Sequence, residues 1–423
     1  MSSTTLPRFR FYGSPRNYRS VLSRELVPTL KTRGEGTVEL ERAVADFVGH
    51  EDAVAVPQGR LAVYLATRAL ISPERDEVIL SPYTIHDVVN MIVAGGGRPV
   101  FVDVERETCN IDASAISGAI TDRTAFILPT HLHGLACDMP AIESEATRRG
   151  IPIVEDAAQA LGARSAGQRV GGIGRVGVLS FGRAKNVNAF FGGAGVTSDP
   201  RIAARMREEI ERFPLMARRR LLKRIALCAA ADLATRPVVF RAATFPVLRA
   251  GIRRGRPGLS EVVQTERDPK LRDALPDEYA KRFRPAQAST VVDQLASVDS
   301  LSDRRRRTAR IYDEGLRGVE GLRLPPWRED GSHVYMQYPV QVEDRDEVVK
   351  QLALRGFDVP VQHLRNTADL DIFAPYVAEC PNARAVAAST ILLPTYPSYS
   401  SAAAEALVAA LTTVAQAMLL QPR

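Results

Sequence analysis

The strongest constraint on this 423-residue chain is a repeated alternation of short apolar runs with helix-length segments. The runs fall at 53–56, 78–80, 99–103, 125–128, 153–156 and 176–181. They are continuous and rich in Val and Ile, as strands buried on both faces must be. The segments between them predict helices over 61–70, 85–94, 113–120 and 139–149. Connections of that length join parallel neighbours and leave helices on both faces of a sheet. The fold expected is α/β, with a large, mostly parallel sheet flanked by helices. Farther on the pattern changes. A helical stretch at 286–317, an alternating strand at 334–342, a helix at 347–355, a strand at 391–394 and a closing helix at 402–420 form a smaller α+β C-terminal domain. The division expected is an N-terminal arm at 1–33 with one turn of helix, a large domain at 34–213, a basic apolar insertion and linker at 214–278, and the small domain at 279–423.

Ligands of open α/β sheets sit at the carboxyl ends of the strands. Three such ends here carry chemistry. The run 153–156 delivers Asp156, the run 176–181 delivers Ser180, and Gly59-Arg60 forms a glycine turn leading into a helix start. Lys185 follows five residues after Ser180. A carboxylate, a hydroxyl, a phosphate-cradling helix start and an amine suit pyridoxal phosphate. That cofactor needs an anion at its ring nitrogen, donors at its phosphate and a lysine for a Schiff base. Either residue alone has a plainer reading, Asp156 as a helix cap and Lys185 as a solvated surface lysine. The convergence of three strand ends on one sheet edge argues for the joint reading.

Composition narrows the class. Apolar content of 45% and charged content of 25% are those of a soluble globular protein. The four cysteines are widely separated and form no CxxC pair, which suits a reducing cytoplasm and argues against zinc or a disulfide framework. His131 and His133 stand two apart at a strand end, a spacing that fits structural or substrate-facing roles, so no metal site is expected. Residues 1–10 lack the apolar core of a signal peptide, and no spanning run of about 18 uncharged apolar residues is expected.

The net charge of +7 is concentrated. Residues 214–256 hold ten Arg and one Lys against the single acid Asp232, a local +10, leaving −3 for the remainder. Basicity confined to one segment argues against general nucleic-acid binding. Within it, 218–231 sets Leu221, Leu222, Ile225 and Ala229 on one helical face among arginines, and Pro237 and Pro246 break any long helix. Two readings stand: a helical insertion packed on its own protein or a dimer partner, or an interfacial helix drawn to anionic lipid. The polar stretch 257–278 reads as a linker. Arg304–Arg307 reads as a solvated helix face.

The segments PVFVDVERETCNID, His131-Leu132-His133-Gly134, VEDAAQALGA, SFGRAKN and GGAGVTSD occur in the order and spacing of the DegT/StrS-type sugar aminotransferases, fold-type-I pyridoxal phosphate enzymes, which the chain resembles. The resemblance implies that Lys185 is the Schiff-base lysine and Asp156 the partner of the pyridine nitrogen. Gln159 packs near the ring, and Ser180 with the amides of Gly59 and Arg60 holds the phosphate. Residues 282–287 resemble the stretch that reaches a partner's active site, implying a homodimer with shared sites. Three positions depart from the family pattern: Arg60 replaces a small hydroxyl residue, Ile85 an aromatic that stacks on the cofactor, and Ala280 a cross-dimer asparagine. Tyr83 or His86 could substitute for the missing ring.

The implied reaction moves an amino group from glutamate or glutamine to a nucleotide-activated keto sugar, for amino-sugar, cell-surface polysaccharide or secondary-metabolite synthesis. His86, His333 and Tyr335 are candidate substrate contacts. The location expected is cytoplasmic, with peripheral membrane contact through 214–256. Two alternatives are a pyridoxal phosphate-dependent sugar dehydratase, where the family carries histidine in place of Lys185, and a membrane-surface binding or regulatory protein on an aminotransferase scaffold.

Overall fold

The computed structural model describes residues 5–10, 14–27, 35–254 and 269–420. The expected linker at 257–278 therefore lies largely outside the described residues. The single turn expected in the N-terminal arm is a 12-residue helix, α1 (Pro15–Leu26). Ser14 caps it by accepting from the amide of Asn17, and Pro15 occupies its first turn. Asn17, Val21 and Glu25, spaced four apart, are its buried side chains, so tertiary packing extends a helix that local polarity conceals. Upstream, Arg8 pairs with Asp358 of the C-terminal region at 2.5 Å.

The alternating section follows as α2 (Glu35–Val48), β1 (Asp52–Val56), α3 (Gly59–Leu70), β2 (Glu77–Leu80), β3 (Tyr83–Thr84), α4 (His86–Ala94) and β4 (Arg98–Phe101). The helix expected over 113–120 is only a 3-10 turn, Ala113–Ala115, followed by the short α5 (Ile116–Ala119). Next come β5 (Thr124–Leu128), α6 (Met139–Arg149), β6 (Val154–Asp156), the small hairpin β7 (Arg164–Ser165) and β8 (Gln168–Arg169), β9 (Val176–Ser180), β10 (Gly193–Thr197) and α7 (Pro200–Glu211).

One half of the main sheet runs β1-β10-β9-β6 and the other β4-β2-β5. Parallel bridges Ile127–Ile153 and Thr130–Asp156 join them. Only β10 runs against its neighbours, pairing antiparallel with both β1 and β9. Val78 and Leu80 enter one core cluster, with Phe126, Leu128 and Val154. Ile79 enters another, with Ile127 and Ile153. This alternation explains why the strands read as continuous apolar runs: both pleat faces are covered.

The basic segment forms α8 (Arg218–Ala234), the short α9 (Pro237–Val239), a π-helical turn Phe240–Thr244 and α10 (Phe245–Arg253). Pro237 opens a new helix as expected, but Pro246 sits in the first turn of α10, where it is tolerated, so the chain stays helical around it. In α8 the buried residues are Leu221, Ile225, Cys228 and Asp232; Ala229, expected inside, is exposed. The expected helix at 286–317 is divided. After a 3-10 turn, Pro285–Gln287, α11 (Ala288–Leu295) packs on α2, and α12 (Val298–Leu316) turns onto the C-terminal core. Within α12, Arg305 is buried rather than solvated, its guanidinium 3.5 Å from the carbonyl of Met336.

The C-terminal region contains β11 (Leu322–Arg323), β12 (Tyr338–Val342), α13 (Arg345–Leu354), β13 (Arg365–Asn366), α14 (Pro381–Ser389), β14 (Thr390–Leu393) and α15 (Ser401–Leu419). The strand expected from 334 begins only at Tyr338, because Tyr335 takes a left-handed φ of 47°. All five residues of β12 are buried, so it does not alternate. By length and composition α15 could cross a membrane, against the expectation that no such segment exists. Its Leu407, Leu411 and Val414 join the core of the β11-β12-β14 sheet.

Candidate active site

Three chain segments crowd together where β9 ends. A Cβ on Gly59 would lie 3.0 Å from both the Leu179 carbonyl oxygen and the Ser180 Cβ. One on Gly193 would lie 2.5 Å from that carbonyl and 2.6 Å from the Gly59 Cα. Only glycine allows the start of α3, the end of β9 and the start of β10 to approach so closely. The first turn of α3 has no side-chain cap, since Gln58 makes no such bond. Its leading amides and the positive end of the helix dipole therefore suit an anion. Ser180, half-buried, stands beside them.

Lys185 lies in the loop joining β9 to β10, and its amide donates to the Gly182 carbonyl at 3.2 Å. The turn is tightened by Ala184 at φ 62°. The ring of the loop is closed by Phe181, whose amide donates to Gly192 at 2.8 Å and whose carbonyl accepts from Ala189 at 3.0 Å. Desolvation lowers the Lys185 ammonium to about 8; Asp156 acts against this and Arg60 adds to it. Burial pushes the Asp156 carboxyl up, while the Ala158 amide at 3.0 Å and the charges of Lys185 and His131 favour its ionised form.

Asp156 is held by its neighbours. Its amide donates to Pro129 and its carbonyl accepts from His131. The preceding Glu155 is fully buried and gathers four donors: His131 Nε2 at 3.1 Å and the amides of Gly171, Ile173 and Gly174 at 2.8, 2.7 and 2.6 Å. Burial opposes the charge on Glu155, but His131 and these amides hold its carboxyl below the ordinary value. Burial likewise opposes a charge on His131, yet Cys137 and Glu155 raise the imidazole above its usual range. Gln159 Oε1 accepts from the His133 amide at 3.3 Å.

Arg60 does not stand alone beside the helix start. Its guanidinium pairs with buried Asp87, which also accepts from Tyr279 Oη at 2.6 Å and lies 3.4 Å from Arg272. Ile85 is the residue preceding α4, and with Thr84, His86, His363, Arg365 and Thr367 it lines a hollow. Burial and then the charge of Lys185 lower the His363 imidazole, which ties this hollow to the lysine. His86 is buried, and burial lowers its imidazole too.

The two remaining candidate substrate contacts lie deep in the structure. His333 and Tyr335 are both fully buried, with ring centroids 3.6 Å apart. Tyr335 Oη accepts from the Arg328 amide at 2.9 Å, and His333 Nδ1 from the Tyr335 amide at 3.0 Å. Leu135 bridges to His333, and Tyr335 packs in the core of the C-terminal sheet. Sequence reasoning missed Asp87, Tyr279, Glu155, His363 and Arg365. Asp87 and Glu155 adjoin singled-out residues, and that adjacency was the available signal; Tyr279 meets Asp87 only through the fold.

A mostly parallel sheet with a desolvated lysine and a buried aspartate at its carboxyl edge, and the proteins it matches, define an aminotransferase. The model of the DegT/DnrJ/EryC1/StrS aminotransferase family matches residues 22–221 and 271–412, and the chain belongs to that family. It is 31% identical to a dTDP-3-amino-3,4,6-trideoxy-alpha-D-glucose transaminase from Streptomyces venezuelae, over 85% of this chain and 82% of that one. It is 28% identical to the spore coat polysaccharide biosynthesis protein SpsC from Bacillus subtilis, over 89% and 90%. Among solved structures, DesV from S. venezuelae superposes with a TM-score of 0.72 at 28% identity, covering 95% of each chain.

Proposed function

We propose that this aminotransferase works with pyridoxal phosphate, takes its amino group from glutamate or glutamine, and delivers it to a keto sugar carried on a nucleoside diphosphate. The observation that carries the cofactor reading is the meeting of Asp156, Lys185 and the uncapped start of α3 at one sheet edge. The residues fit the group: α3 and Ser180 offer donors to a phosphate, Asp156 an anion to a ring nitrogen, and Lys185 an amine to an aldehyde. When bound, the cofactor supplies an electron sink for negative charge at the donor's α-carbon.

The protein's part is positioning and proton transfer. Lys185, with its amine near 8, can take a proton from that carbon and return it on the acceptor side. Asp156, held by Pro129, His131 and Ala158, keeps its carboxylate aimed from the strand end. Arg60 adds positive potential beside the phosphate-binding end while Asp87 and Tyr279 restrain it. Ile85, His86, His363 and Arg365 form the wall we assign to the acceptor. The relatives named above support a nucleotide-linked sugar, and the resemblance of residues 282–287 to the family stretch that reaches a partner's site is the support for a homodimer with shared sites.

The purified protein is expected to be yellow, to lose that colour with glutamate, and to regain it with the right nucleotide keto sugar. Lys185→Ala is expected to abolish both the colour and turnover. Turnover retained by Lys185→Ala overturns the proposal.

A further inference from the structure

The family model leaves residues 222–270 unmatched, and most of α8 to α10 falls in that gap. This segment enters and leaves the common fold at a fixed neck. Leu215 and Arg282 form a parallel bridge, and the Met216 amide donates to the Arg282 carbonyl at 3.2 Å.

The inner face of α8 is occupied. Leu221, Ile225 and Cys228 pack with Val21, Phe190, Phe191 and Met216, and Asp232 accepts from Tyr18 at 2.6 Å. The outer face is different. Arg219, Lys223, Ala226, Ala230 and Leu233 follow at steps of four, three, four and three, and all are exposed. Those steps place them on one side of the helix, opposite the buried set. Leu227 beside this stripe is 52% exposed and Leu233 53%. Beyond α8, Val238 is 71% exposed and Val247 62%; the Thr244 hydroxyl, donating to Ala234 at 2.8 Å, ties that section back to α8. Arg236, Arg253 and Arg254 of the same segment are exposed as well. Among the described residues, Arg219, Lys223, Arg236 and Arg253 enter no ion pair.

Exposed leucine and valine interspersed with exposed cations, in a segment of net charge +10, complement a surface that is apolar beneath and negative on top. A two-fold contact with a second copy would set this cationic face against itself. We propose that the outer face of α8, continued by Val238 and Val247, docks the protein on an anionic lipid bilayer. Docking would set the membrane against the far side of the helix whose inner face holds Phe190 and Phe191, a few residues beyond Lys185.

The test is co-sedimentation of the full chain with vesicles of phosphatidylcholine alone and of phosphatidylcholine with about one-third phosphatidylglycerol. Pelleting is expected on the anionic vesicles only, and it should fall steeply as salt approaches about 0.5 M. Arg219→Glu with Lys223→Glu, and separately Leu227→Ser with Leu233→Ser, should each lower partitioning about tenfold or more. The salt titration uses the unaltered protein, so it stands whatever the variants' thermal melts show. Equal pelleting on neutral and anionic vesicles, or none on either, overturns the proposal. Folded variants that pellet like the parent do so as well. Variants that lower the oligomeric mass without changing vesicle binding would assign this face to a second copy instead.

Discussion

The side-chain amide of Gln287 donates to the carbonyl oxygen of Ala189 at 2.7 Å, four residues beyond Lys185. It donates also to Phe191 at 2.9 Å, so one fully buried amide fastens the far half of the lysine loop. Gln287→Ala strands both carbonyls, at a cost of about 2–4 kcal/mol. Urea unfolding should register that loss, and faster amide hydrogen exchange should appear across residues 187–192.

Glu155 gathers a buried imidazole and three amides, and the energy of that arrangement depends on its charge. Glu155→Gln leaves His131 without its ionic partner, and the expected loss is about 3–5 kcal/mol near neutral pH. The Glu155 carboxyl is held below its ordinary value when folded. Its contribution is therefore present above the unfolded carboxyl pKa and is lost as pH falls through the folded value. Stability curves of parent and variant should converge on acidification.

Lys185 gives a pH dependence of the same sign, but in an alkaline window. In the cofactor-free protein its ammonium is depressed from 10.5 to about 8. Between those values the unfolded chain holds a proton that the folded chain has released, so stability rises with pH across that window. At neutral pH the desolvation penalty is fully present. Lys185→Met should be more stable there by on the order of 2 kcal/mol, an advantage that disappears by about pH 10. Chemical denaturation at the two pH values checks it.

Gly193→Ala tests the crowding at the helix start. The added carbon meets backbone atoms of Leu179 and Gly59, which cannot rotate away. A loss of about 1–3 kcal/mol is expected, with weaker binding of inorganic phosphate to the cofactor-free protein. Unchanged phosphate binding, measured by calorimetry, would detach this contact from the anion site.

The main sheet was legible because its strands are covered on both faces and so read as unbroken apolar runs. Helix α6 was legible to the residue, since Asp138 caps its start and Gly150 ends it in the left-handed region. Asp156, Ser180 and Lys185 could be singled out because strand ends collect ligands and the three lie close in sequence. Contacts across long sequence separations left no local trace. Tyr279 meets Asp87 from 192 residues away. Arg305 is buried because its helix turns onto the C-terminal core, which a run of four arginines hides. His333 and Tyr335 stack on each other and each accepts from a neighbouring amide, contacts with no local trace in the sequence, while His333 Nε2 is buried without a protein partner.

The hollow lined by Ile85 and His363 has an unusual construction. One side follows from Tyr83 and Thr84, the other from Arg365 and Asn366, and the two strands pair antiparallel through their backbones. Thr367 locks the pairing by donating its amide and hydroxyl to the Pro82 carbonyl, both at 2.8 Å. Main-chain bonds do not depend on which side chains stand above them. Exchanging the side chains of residues 84 and 365 therefore leaves the bonds that set this register in place. For the acceptor wall proposed above, this construction would let side chains change one at a time over a fixed backbone, which makes it the place to begin a library for altered sugar selectivity.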